Sequence, residues 1–80
     1  MQHSFTLIHW YGPFELSEVI ESDWGNERGL YLFTGKRKED TESQIQYCGI
    51  AVQSYASRFK AHHKYWKIVN EKKVWLGLIE

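Results

Sequence analysis

The sequence predicts a small α+β domain: a mainly antiparallel sheet of three core strands, at about 29–34, 45–51 and 74–79, with a helix at about 54–69 packed on it. Three observations lead there. Two apolar runs, Gly29–Phe33 and Ile45–Ala51, flank a wholly polar stretch, which is the pattern of two antiparallel strands and their connection. Tyr55, Phe59, Trp66 and Val69 then recur at helical spacing. Finally, Val74, Leu76 and Leu78 alternate with Trp75, Gly77 and Ile79, as on the two faces of a strand.

Before this core, Phe5, Leu7 and His9 alternate with Thr6, Ile8 and Trp10, predicting an N-terminal strand at about 4–10 packed on more than one side. Gly12-Pro13 is expected to end it. Pro13 suits the first turn of a short helix at about 14–21, where a missing N–H costs nothing. Leu16, Val19 and Ile20 give that helix its buried stripe, and Glu15 and Glu18 sit near its positive end. Residues 22–28 read as a loop from which Trp24 folds back onto the core.

The polar stretch Gly35–Gln44 is expected to be a long, mobile hairpin connection. Ser54 is the expected N-cap of the 54–69 helix. On that helix Arg58 and His62 fall on the side of Tyr55, and Lys60, Lys64 and Lys67 on the solvent side. Residues 70–73 read as a polar turn.

Eighty residues make one domain that buries roughly 60–65% of its unfolded surface, so the core has little margin. Aromatic residues make up 16% of the chain, and four are Trp, which suits a compact core. The net charge is zero, which excludes polyanion binding by bulk electrostatics. The charge is unevenly spread, however. In residues 1–33 five acidic side chains face Arg28 alone, a balance of −4; in residues 34–80 nine basic ones face five acidic ones, a balance of +4. That asymmetry is compatible with a nucleic-acid face on the later part, and equally with ordinary solvated faces. The single cysteine, Cys48, excludes an internal disulfide and a multi-cysteine zinc site, and is expected to be buried and inert. The absence of a leader-like start or an apolar run of membrane-span length makes a cytoplasmic setting the expectation.

The residues with chemistry are Tyr31, Tyr47, Arg58 and His62. The tyrosines sit on adjacent strands, and Gly49 is expected to leave open space beside Tyr47. A gap flanked by phenols suits a substrate oxygen, although strand tyrosines are commonly core residues and strand glycines commonly mark bulges. Arg58 carries a fork of donors matched to phosphate, with an ordinary salt bridge as the plainer reading. His62 is either a core histidine or a proton carrier. Lys36, Arg37 and Lys38 form a short basic run, read either as a solvated loop tip or as a contact to nucleic acid.

Taken in order, these pieces resemble the GIY-YIG nuclease family. Gly29-Leu30-Tyr31 stands where that family has its first signature triplet, and Tyr47-Cys48-Gly49 where it has its second. Arg58 and His62 reproduce its Arg-x-x-x-His on the following helix, and Val74–Ile79 looks like its third strand. The resemblance covers about 29–79. It implies metal-dependent hydrolysis of DNA phosphodiester bonds, with Mg2+ or another divalent cation. Tyr31, Tyr47 or His62 would take a proton from water, Arg58 would steady the phosphate, Gly29 and Gly49 would lie in the substrate pocket, and Lys36, Arg37 and Lys38 would contact DNA.

Three departures qualify it. Fifteen residues, Leu32–Gln46, separate the triplets, more than the family usually has. Arg58 comes one residue later than usual. The family's metal-binding glutamate follows its third strand on a further helix, a position Glu80 does not match. The resemblance therefore implies either a fragment or a short member without the metal site, weakly active or inactive by itself. Residues 1–28 are expected to be an N-terminal extension packed on a 29–80 core. The alternative is a non-catalytic nucleic-acid-binding or protein-interaction domain on the same scaffold, the latter using exposed aromatics such as Trp75.

Overall fold

The computed structural model describes residues 7–61 and 69–79. In chain order these form β1 (Ile8–Phe14), α1 (Leu16–Glu21), a 3-10 turn (Asp23–Asn26), β2 (Gly29–Lys36), β3 (Gln44–Ala51), α2 (Tyr55–Ala61) and β4 (Asn70–Ile79). The strands make one antiparallel sheet in the order β1-β4-β2-β3. The class is α+β, as the pattern predicts, but the sheet has four strands because β1 joins it along β4.

β1 differs from its expectation in two ways. It is an edge strand and mostly exposed, not packed on more than one side. It also runs through Gly12-Pro13, with a register shift between Tyr11 and Phe14. An edge strand tolerates proline at such an irregularity because that N–H is not needed by the ladder. The helix consequently starts later, at Leu16, where the Glu18 carboxylate accepts the backbone N–H of Glu15 at 3.0 Å.

β2 and β4 both outrun their predicted ends. β4 begins at Asn70, so the polar residues 70–73 are strand and not turn. The ladder to β2 holds them, pairing Thr34 with Lys73 and Lys36 with Asn70, around an irregularity at which Glu71 takes φ 56°. Pairing with a long central neighbour overrides polar composition. The β2–β3 connection shrinks to residues 37–43. It is organised by Asp40, whose carboxylate accepts the Arg37 backbone N–H at 2.8 Å and the Gln46 side-chain amide at 3.0 Å. The expected long open hairpin is therefore a short tied turn.

The core lies between the sheet and the helical layer on one of its faces. Tyr31 and Phe33 of β2, Ala51 of β3, Val74 and Leu76 of β4, Val19 of α1, Tyr55 and Phe59 of α2, and Val69 are all buried. Strand alternation explains the selection: Tyr31 pairs with Gly49 and Leu76, and Phe33 with Tyr47 and Val74, so all point the same way. Leu16, Ile20 and Trp24 pack on the rim, and the Trp24 ring meets Tyr11 and Phe14 at 5.1 and 5.7 Å.

α2 starts as its sequence demands. Ser54 Oγ accepts the Ser57 backbone N–H at 3.1 Å, and Ser54 O accepts that of Arg58 at 3.1 Å. The predicted continuation of this helix through 62–68, His62, Lys64 and Lys67 included, lies outside the described residues. Cys48 corrects another expectation. It stands on the sheet face away from the helices and is exposed. Among the described residues no helix is long and apolar enough to cross a membrane.

Tyr55 ties helix to sheet. Its hydroxyl donates to Leu30 O at 2.8 Å and lies 3.4 Å from Gly77 O, on β2 and β4 respectively. Burial, aided by the Glu27 charge, pushes its pKa from 10 to about 12. Stability from this group is therefore complete below pH 10 and is lost as pH rises towards 12, by roughly 2–3 kcal/mol. Tyr55→Phe is expected to cost about 1–2 kcal/mol in urea unfolding near neutral pH. It should also flatten part of the alkaline decline, Tyr31 accounting for the remainder.

Candidate functional site

Tyr31, Tyr47 and Arg58 meet where β2, β3 and α2 adjoin. Tyr31 is fully buried, and its hydroxyl accepts a hydrogen bond from Arg58 Nε at 3.2 Å. The Tyr47 ring lies 5.9 Å from the Tyr31 ring and 6.1 Å from Phe33, half-buried at the margin of the aromatic cluster. Arg58 is exposed. Phe59, the next residue on α2, sits edge-on to Tyr31 at 5.2 Å and anchors this part of the helix.

The electrostatics separate the two partners. Burial pushes the Tyr31 phenol above its usual value, and the Arg58 charge only partly opposes this. The hydrogen bond to Tyr31 in turn raises the Arg58 pKa, so the guanidinium stays charged. Tyr47 acts weakly on both. The arrangement is thus a fixed cation at the surface, braced from below by a neutral phenol.

The two glycines have definite spatial roles, and neither opens a gap. A Cβ on Gly49 would fall 2.5 Å from the Tyr31 hydroxyl oxygen and 2.8 Å from Cε1 of Tyr47. The space expected beside Tyr47 is therefore filled by the Tyr31 phenol itself. A Cβ on Gly29 would fall 2.7 Å from Gly77 O and 2.8 Å from the Tyr55 hydroxyl, and Gly29 also has φ +151°, a conformation that favours glycine. Each glycine seats a tyrosine hydroxyl. The role of Tyr55 was missed at the level of sequence, where it is simply one apolar position of a helical stripe.

An open groove of about 290 Å³ adjoins Arg58, lined by Ile50, Val52, Gln53, Ser54, Ser57 and Ala61. The three basic residues of the hairpin are elsewhere. Lys36 lies five strand residues beyond Tyr31, roughly 16 Å at strand rise. Lys36 pairs with Glu71 at 3.4 Å, Arg37 is half-buried, and Lys38 is exposed. His62 is outside the described residues. Among the described residues no three His, Cys, Asp or Glu side chains gather where they could hold a metal ion.

Comparison with protein-family models, curated proteins and solved structures gives no match to this chain. The family resemblance accordingly stands on its residues alone.

Gly49→Ala is expected to displace the Tyr31 hydroxyl from Arg58 and to cost about 1–3 kcal/mol, the usual penalty of overpacking. Urea unfolding measures the cost. Spectrophotometric titration of the tyrosines should show the Tyr31 phenol, still buried but without the lowering Arg58 contact, shifted further up.

Proposed function

We propose that this chain is a GIY-YIG-type nuclease domain acting on DNA, in which Arg58 holds the phosphate of the bond to be cut. The observation that carries this reading is the Arg58 Nε–Tyr31 hydroxyl contact, with Tyr47 alongside. With Nε committed to Tyr31, the guanidinium keeps one orientation at an open groove, which suits bidentate contact with a phosphodiester. Water would attack phosphorus and lose its proton to a nearby base. Tyr31 is a poor base, being buried, hydrogen-bonded and raised in pKa, so it is a positioning residue for Arg58. That leaves Tyr47, at the margin, and His62 as the candidate bases. Hairpin Lys38 would meet a more distant part of the duplex backbone.

A second reading is a non-catalytic nucleic-acid-binding module. What favours it is that the buried Tyr31 phenol braces Arg58 for phosphate contact while being a poor proton acceptor. It shares the Arg58 phosphate contact and predicts binding that weakens with salt but produces no cleavage.

The test is nicking of supercoiled plasmid in Mg2+, run beside a salt titration of DNA binding. Arg58→Ala is expected to lower nicking by about 100-fold or more, as losing a preorganised electrostatic contact does. Tyr31→Phe should cost less, because the guanidinium remains but loses its brace. Nicking that proceeds at the unmodified rate in Arg58→Ala rules out the role given to this residue. Salt-sensitive binding without nicking decides for the second reading, and no binding at low salt rules out both.

A further inference from the structure

Two grooves meet at one aliphatic ridge. Ile50 and Val52 line the Arg58 groove and also a second, larger one of about 560 Å³, whose other walls include Glu27, Arg28 and Leu78. The ridge stands in water: Ile50 is 54% and Val52 71% exposed. Local structure explains why an arginine stands on each side of it. Gly29 pairs with Ala51, so Arg28, one residue earlier, comes to the end of β3 where Val52 leaves the strand. The Tyr55 backbone N–H donates to Glu27 O at 2.8 Å, which sets the start of α2 against the same loop, and Arg58 follows about one turn later. Both arginines are exposed, and among the described residues neither makes an ion pair with a carboxylate.

We propose that the two grooves form one track for an unpaired DNA strand, with one phosphate on Arg58, a second on Arg28, and the base between them laid against Ile50 and Val52. This rests on the reading of Arg58 as a phosphate contact, and adds to it the form of the nucleic acid and a second contact residue. Charge complementarity is the first argument. A cation, an apolar ridge and a cation follow one another along the surface, and an unpaired strand presents phosphate, base face and phosphate in the same order. Exposure is the second. In a duplex the base faces are stacked inside, so a duplex backbone leaves Ile50 and Val52 in water, whereas an unpaired base covers them. Size is the third: grooves of about 290 and 560 Å³ have the dimensions of small-ligand sites and suit single nucleotides. Glu27 also lines the second groove, and its carboxylate offsets part of the Arg28 charge. The Arg28 contact is accordingly the weaker of the two.

The experiment is fluorescence anisotropy of the full chain with a short oligothymidine strand and with a duplex of the same length, without Mg2+ and over a range of salt. The expected result is tighter binding of oligothymidine by about fivefold or more, the low end of what one base contact contributes. Arg28→Ala should weaken oligothymidine binding more than duplex binding and lower its salt slope by about 0.7, as the loss of one phosphate contact does. Val52→Ser should erase most of the preference for the single strand. Glu27→Gln should tighten oligothymidine binding, a gain that a merely structural role would not produce. All three positions are exposed, and far-UV circular dichroism verifies that each variant keeps the fold. Oligothymidine and duplex bound alike, both dependent on Arg58 and indifferent to Arg28→Ala and Val52→Ser, overturns the track and leaves the Arg58 reading standing. Arg28→Ala weakening both by the same factor also overturns the track, because Arg28 would then add only charge. Binding of neither nucleic acid at low salt overturns the track and the Arg58 reading together.

Discussion

The position of the Tyr31 phenol governs the geometry of the rest. It lies under α2 in the aromatic cluster and still brings its hydroxyl to Arg58. A tyrosine side chain is amphipathic, and when buried it needs a partner for its one polar atom. Here the partner is a surface guanidinium, so a single residue joins the packing of the core to the orientation of an exposed cation. Gly49 is the condition for this, since any side chain there would occupy the volume of the phenol.

A parallel arrangement fixes α2 at its first turn. Tyr55 is also buried, and its hydroxyl reaches two strand carbonyls across the place a Gly29 side chain would take. The backbone N–H of Tyr55 donates to Glu27 O at 2.8 Å, which ties the same turn to the end of the 3-10 segment. Helix orientation is thus set by polar contacts at defined points, and aromatic packing fills the space between them. In a domain this small the core alone has little margin, and hydrogen bonds that satisfy buried hydroxyls also specify one arrangement.

Much of this was legible in the sequence. Apolar alternation located β2, β3 and the end of β4, and helical spacing with Ser54 located α2. The order of the motifs placed Tyr31, Tyr47 and Arg58 in one neighbourhood. What was not legible depended on partners distant in the chain. Residues 70–73 look like a turn because their composition is polar; they are strand because β2 extends far enough to pair with them. Gly12-Pro13 looks like a terminator, yet β1 is an edge strand, where a break in the ladder is tolerated. Glycine 49 looked like empty space because a sequence does not show which side chain comes from the neighbouring strand to fill it. Cys48 looked buried because its neighbours are apolar, but the described helices pack on the other face of the sheet.

The division of labour between the phenols follows from the same burial. At pH 7 a phenol with a pKa of 10 or above is ionised in about one molecule in a thousand or fewer. A tyrosine acting as base needs a nearby positive charge to enlarge that fraction, and Arg58 does lower the Tyr31 value. Burial raises it by more, and the net direction is upward. Moving Tyr31 into water would relieve the burial but would also remove it from the core on which α2 rests. The position that makes Tyr31 an effective brace for Arg58 is therefore the position that makes it a poor proton acceptor. In the proposed nuclease, proton transfer would therefore fall to a group other than Tyr31.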